Sequence, residues 1–86
     1  MSIIEENLKN LNIILPTAPA PAANYVPYSK TGKLIFVSGQ IPIVNGEMII
    51  GKVGKDTEIN AAVKAARACG LAIISQLKEA TNSNLD

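Results

Sequence analysis

The chain has 86 residues, a net charge of +1, no histidine, one cysteine and only three aromatic residues. A single small domain with an Ile/Leu/Val/Ala core is the only architecture this allows, and a chain of that size buries only about 60–65% of its unfolded surface, so it depends on good packing or on association. With no basic block and few rings to stack bases, the composition argues against nucleic-acid binding by electrostatics. It also excludes histidine-based catalysis, a disulfide within the chain and an ordinary zinc set.

Residues 1–12 read as an N-terminal helix. Ser2 and Glu5 stand at capping-box spacing, and Ile4, Leu8 and Leu11 make one apolar edge that has to dock on something. Asn10 and Asn12 are its expected stops. No basic start precedes an apolar core here, and no run approaches the ~18 apolar residues of a membrane span. The expectation is therefore a cytoplasmic protein in a reducing compartment, with no membrane partner.

Residues 13–24 form a connector. Pro16, Pro19 and Pro21 forbid helix and favour an extended path. The segment reads as a stiff surface connector rather than a motif for aromatic grooves.

Residues 25–50 carry the strands. Tyr25 to Lys30 and Lys33 to Ser38 flank the turn signal Thr31-Gly32 and predict an antiparallel hairpin. Pro27 cannot donate to a ladder and should face outward or sit at a bulge. Leu34, Ile35, Phe36 and Val37 form a continuous apolar run, as expected of a strand covered on both faces. Ser38 and Gly39 then interrupt it. A glycine at a strand end marks either a plain turn or a place where a ligand approaches the backbone, and the spacing alone leaves both open. Asn45-Gly46 is the strongest hairpin signal in the chain, between Ile43-Val44 and a short return over residues 47–50.

Residues 57–80 predict a long amphipathic helix with Thr57 as N-cap. Ile59, Ala62, Val63, Ala66, Gly70, Ile73 and Leu77 follow the 3.6-residue period, and this stripe is expected to lie on the sheet. Lys64, Ser75, Lys78 and Glu79 fall elsewhere. The whole reads as one α+β domain, with antiparallel strands and one long helix packed on one sheet face.

Few residues can carry chemistry. Ser38 has no histidine to activate it. Tyr25 and Tyr28 can donate from their phenols. Arg67, the only arginine, flanks the helix stripe and reads as a snorkelling or ion-pairing residue, and Cys69 as a small core residue. Glu47, Asp56 and Glu58 read as solvated.

One block is more telling. Residues 23–42, from Tyr25 through the turn glycine Gly32 to Ser38-Gly39-Gln40-Ile41-Pro42, resemble the N-terminal signature of the RidA family, also called YjgF or L-PSP endoribonuclease. Leu15-Pro16-Thr17, Gly51-Lys52-Val53-Gly54 and Ala65-Ala66-Arg67-Ala68-Cys69 are similar to a branch with an N-terminal helical extension. The resemblance implies a partial chorismate-mutase-like fold, here without the C-terminal strands and second helix, and a homotrimer with clefts between subunits. It implies enamine and imine hydrolysis, with 2-aminoacrylate or 2-iminobutanoate going to the 2-keto acid and ammonia, and no metal or cofactor. Tyr25, Ser38 and Gly39 match the positions that bind a small imine, enamine or keto acid. The arginine that holds the substrate carboxylate and the glutamate that positions water follow the long helix in the family and have no counterpart in this chain. The chain therefore reads as an N-terminal portion or truncated product, inactive alone. A non-catalytic ligand- or protein-binding module and an L-PSP-type endoribonuclease are the alternatives.

Overall fold

The computed structural model describes residues 3–17 and 26–86. Its elements, in chain order, are α1 (Ile3–Asn10), β1 (Tyr28–Thr31), β2 (Leu34–Val37), β3 (Ile43–Val44), β4 (Glu47–Met48) and α2 (Ile59–Ala80). Ser2 and Tyr25 lie outside the described residues, and so does most of the predicted connector.

Helix α1 is anchored from the far end of the chain. The Asp86 carboxylate accepts from Ile3 N and Ile4 N, both at 3.1 Å, and so satisfies two of the amides that every helix start leaves unpaired. Glu5 pairs with Lys78 of α2 at 3.1 Å. The apolar edge docks less than expected: Leu8 is half-buried, while Ile4 and Leu11 are exposed. Caps and a surface ion pair, rather than a buried face, hold this helix. Asn12, at φ 57, ends it in a Schellman arrangement, with Ile13 N donating to Leu8 O and Asn12 N to Lys9 O. Helix α2 ends the same way: Asn82 has φ 54, Ser83 N donates to Lys78 O and Asn82 N to Glu79 O.

The strands form two separate antiparallel hairpins. In the first, Tyr28 pairs with Val37 and Thr31 with Leu34 across the two-residue turn Gly32–Lys33, one residue later than the sequence signal suggests. In the second, Ile43 pairs with Met48 and Val44 with Glu47. Asn45 and Gly46 both have positive φ, as a type I′ turn requires. The return strand stops at Met48 instead of reaching residue 50.

Two expectations about burial are overturned. Strand β2 is covered on one face only: Ile35 and Val37 are half-buried, whereas Leu34 and Phe36 are each 61% exposed. Among the described residues, nothing covers the second face of this two-stranded hairpin. The long helix also presents the side opposite to the predicted one. Its buried residues are Ala72, Ser75, Gln76 and Ala80, and Ala61, Ala65, Ala68 and Cys69 are half-buried along the same side. Ile59, Val63, Ala66, Gly70 and Ile73 face away. The row of alanines has the smaller side chains, so that side comes closer to the hairpins. Ser75, which the sequence places off the apolar stripe, is buried and donates to Pro16 O at 2.8 Å, with Leu71 O a second acceptor at 2.9 Å. That bond ties the start of the connector to the helix.

Helix α2 also begins two residues later than predicted, at Ile59, with Glu58 as N-cap. Thr57 cannot cap it in place, because Thr57 N donates to Lys52 O and Gly54 N to Thr57 O in the preceding turn. At the other end Lys30 Nζ donates to Ala80 O at 2.8 Å, placing a cation on the negative end of the helix dipole. Among the described residues no helix is long and apolar enough to cross a membrane.

Candidate functional site

The end of β2 is where the backbone leaves regular pairing. Ser38 N donates to Pro27 O at 2.9 Å, which carries the ladder one step past the strand. The Ser38 hydroxyl donates to Val26 O at 2.6 Å. A serine hydroxyl has one proton, so Ser38 Oγ can meet a ligand only as an acceptor while this bond stands. Pro27, placed between these two carbonyl contacts, needs no amide of its own to pair.

The next residues are held from two sides. Gln40 Nε2 donates to Ser38 O at 3.0 Å, and the Cys69 thiol of α2 donates to Gln40 O at 3.6 Å. Cys69 is thus more than a filler. It connects the helix to the strand end, through the weak donor that a thiol offers. Neither Gln40 nor this use of Cys69 was singled out in the sequence. The signals were there: Gln40 lies inside the Ser-Gly-Gln-Ile-Pro block, and Cys69 belongs to the alanine side of α2.

Gly39 is exposed, its φ lies outside the left-handed region, and a Cβ built there would meet no atom within 4 Å. Among the described residues, neither backbone conformation nor packing against a side chain calls for glycine at this position. What the missing Cβ does is leave the backbone open to close approach.

Of the three sequence-assigned site residues, Ser38 and Gly39 are adjacent at this strand end, and Tyr25 is outside the described residues. Tyr28 starts β1 and is half-buried, while Arg67 is exposed on α2. None of the hydrogen bonds or the ion pair described above brings a cation to Ser38–Gln40. A separate apolar cavity of about 140 Å³ is lined by Pro16, Thr17, Ile41, Ile43, Ala68 and Ala72. It is well below the ~300 Å³ of ordinary ligand pockets and reads as a packing void.

Fold and strand end together define an α+β half-domain with an open, glycine-bearing edge beside a serine. No family model matches the chain. It is 41% identical over 78 residues to protein TCP17 of Trypanosoma cruzi, covering 90% of this chain and 49% of that protein. It is 36% identical over 74 residues to protein HMF1 of Saccharomyces cerevisiae, covering 86% of this chain and 50% of that protein. Among solved structures, protein Atu1372 of Agrobacterium tumefaciens, of unknown function, superposes with a TM-score of 0.78 at 42% identity, over 95% of this chain and 50% of its own. A "putative endoribonuclease" of Shewanella oneidensis MR-1 superposes with a TM-score of 0.79 at 35% identity, over 88% and 51%. The chain belongs to the RidA (YjgF) family, and its architecture is a partial chorismate-mutase-like fold. It spans about half the length of the curated relatives it matches.

Proposed function

We propose that this chain carries one half of a cleft for a small 2-imino or 2-keto acid, in the lineage of enamine and imine deaminases. The observation that supports this best is Gly39. It is an exposed glycine that neither a positive φ nor, among the described residues, a close neighbour of a would-be Cβ accounts for, next to a serine whose oxygen can accept a hydrogen bond. In this reading Ser38 Oγ accepts from the ligand's nitrogen-bound hydrogen, the open backbone at Gly39 lets the ligand lie close, and Tyr25 adds a phenol. A carboxylate needs a cationic partner, best a bidentate arginine. Among the described residues, none of the contacts given above brings such a group to the strand end, and in this reading the chain alone binds weakly and does not turn over.

Titrating the labelled chain with 2-ketobutyrate and following amide shifts by NMR tests the binding half. Shifts centred on residues 38–40 are expected, and an unmoved strand end would sink the proposal. Ammonia release from 2-aminoacrylate tests the other half. No rate above the uncatalysed one is expected, and turnover would show that this chain already holds its carboxylate partner.

A ribonuclease reading rests on the family resemblance and on the description of the Shewanella oneidensis protein. The net charge of +1 and the lack of histidine favour the small-acid cleft over it.

A further inference from the structure

Asn45-Gly46 forms the turn of the second hairpin, and it is also the place in the chain best arranged to react with itself. Three described asparagines have positive φ: Asn12 at 57, Asn45 at 51 and Asn82 at 54. After Asn12 and Asn82 the next amide is engaged, with Ile13 N donating to Leu8 O at 2.9 Å and Ser83 N to Lys78 O at 2.8 Å. Gly46 N has no hydrogen-bond partner among the described residues, because the central amides of a type I′ turn lie outside the ladder. The residue type matters as well. Glycine has no Cβ to obstruct approach to the preceding carboxamide, whereas isoleucine and serine do. None of the other seven asparagines precedes a glycine. Asn45 and Gly46 are both exposed, and a Cβ built on Gly46 would meet no atom within 4 Å, so the turn stands in open space.

We propose that Asn45 is a site of spontaneous deamidation, and that the reaction releases the second hairpin. Gly46 N gives up its proton and bonds to Asn45 Cγ. The Cγ–Nδ2 bond breaks, and ammonia leaves with that proton as a succinimide closes. Water then opens the ring at one of its two carbonyls. Opening at the former side-chain carbonyl leaves aspartate in an ordinary backbone. Opening at the main-chain carbonyl leaves isoaspartate, with the backbone lengthened by one methylene. Water is the only co-reactant. The folded turn restrains the attack, since the ladder holds both residues in place. That restraint is slight, because the hairpin has only two paired positions, Ile43 with Met48 and Val44 with Glu47, and so short a hairpin opens easily.

Either product adds a carboxylate next to Glu47 and cancels the chain's net charge of +1. Isoaspartate does more. The two-residue length of the turn sets the register of β3 on β4, and an added methylene breaks it. The return strand also fastens Pro42, since Ile49 N, just past β4, donates to Pro42 O at 2.9 Å. A slipped register therefore frees the Pro42 end of the Ser38–Pro42 stretch. The inference stands whether or not that stretch binds a ligand.

Incubating the whole chain in mildly alkaline buffer, with isoelectric focusing and peptide mass mapping, tests this. The first acidic species should carry its change at Asn45, with ammonia released in equal amount. The isoaspartate fraction should accept a methyl group from an isoaspartate O-methyltransferase at that residue. Asn45→Gly keeps a turn that tolerates positive φ and removes the carboxamide, so this first acidic species should be lost. A first change at Asn82 or at any other asparagine overturns the assignment, and so does an equally fast acidic shift in Asn45→Gly. Hydrogen exchange at the Ile49 amide reads the structural half. The purified isoaspartate form should lose protection there while α2 is unchanged. Asn45→Asp, which adds the charge without the methylene, should keep it. Equal protection in the isoaspartate form and the unmodified chain overturns the release, and equal loss in Asn45→Asp overturns the lengthened backbone as its cause.

Discussion

The Ser38 hydroxyl donates to Val26 O at 2.6 Å, joining the end of β2 to the chain that enters β1, twelve positions earlier. Ser38 is thereby a positioning residue before it is a ligand contact. In Ser38→Ala the Val26 carbonyl is left to water, and because the bond is solvent-exposed the cost should be at the low end of a hydrogen bond, about 0.5–1 kcal/mol. Urea denaturation reads this. The 2-ketobutyrate shifts at residues 38–40 should disappear in the same variant, and their persistence would remove the hydroxyl from the cleft.

The Lys30 ammonium sits on the last carbonyl of α2, 2.8 Å from Ala80 O. Lys30→Met keeps the stem and removes the charge. A loss of about 0.5–1 kcal/mol is expected, as for other cations at helix C-termini. Hydrogen exchange should show it as faster opening of residues 77–80, with the first turns of α2 unaffected. Uniform loss of protection along the helix would mean that Lys30 acts through the hairpin instead.

Much of this architecture could be read in the residues. Alternation of apolar and turn residues located both hairpins, Asn45-Gly46 specified its turn by the positive φ it needs, and Asn12 and Asn82 closed their helices. What could not be read was which side of α2 faces inward. Ile59, Val63 and Ile73 make the more hydrophobic stripe, and hydrophobicity alone sends it to the core. The helix instead lays its alanines on the hairpins, because closeness of approach decides the contact when the sheet is only two strands wide. The same narrowness leaves Leu34 and Phe36 exposed on a strand that reads as buried. The candidate site was legible only through the Ser-Gly-Gln-Ile-Pro block. The tie from Cys69 to Gln40 spans 29 positions and leaves no local signal.

Asp86 and α1 offer a test of long-range capping. The carboxylate accepts from Ile3 N and Ile4 N, and nothing in α1 is fully buried. An eight-residue helix has little stability of its own. Asp86→Ala should cost about 1 kcal/mol at the helix start and melt α1, seen as a loss of helical circular dichroism matching one short helix. Protection of α2 should not change. By contrast, a Glu5/Lys78 double-mutant cycle should give a coupling of about 0.5 kcal/mol or less, since both partners are partly exposed.

The turn before α2 is the least forgiving place in the chain. Gly51 has φ 149, a conformation that side chains rarely adopt, and a Cβ there would run into Thr57 Oγ1. Two separate penalties therefore fall on Gly51→Ala: backbone strain of about 1–3 kcal/mol and a clash of similar size. They can be told apart. Thr57→Ala removes the hydroxyl that would be struck while leaving Thr57 N on Lys52 O. In that background Gly51→Ala should cost only the strain, so the two substitutions couple favourably by about 1–3 kcal/mol. Gly54, three positions on, has φ 89 but open space around a Cβ, so Gly54→Ala should show strain alone and no coupling to Thr57. Equal costs for Gly51→Ala with and without Thr57 would mean that the turn relaxes away from the threonine, and that the start of α2 is set by Glu58 rather than by the bonds of residues 52–57.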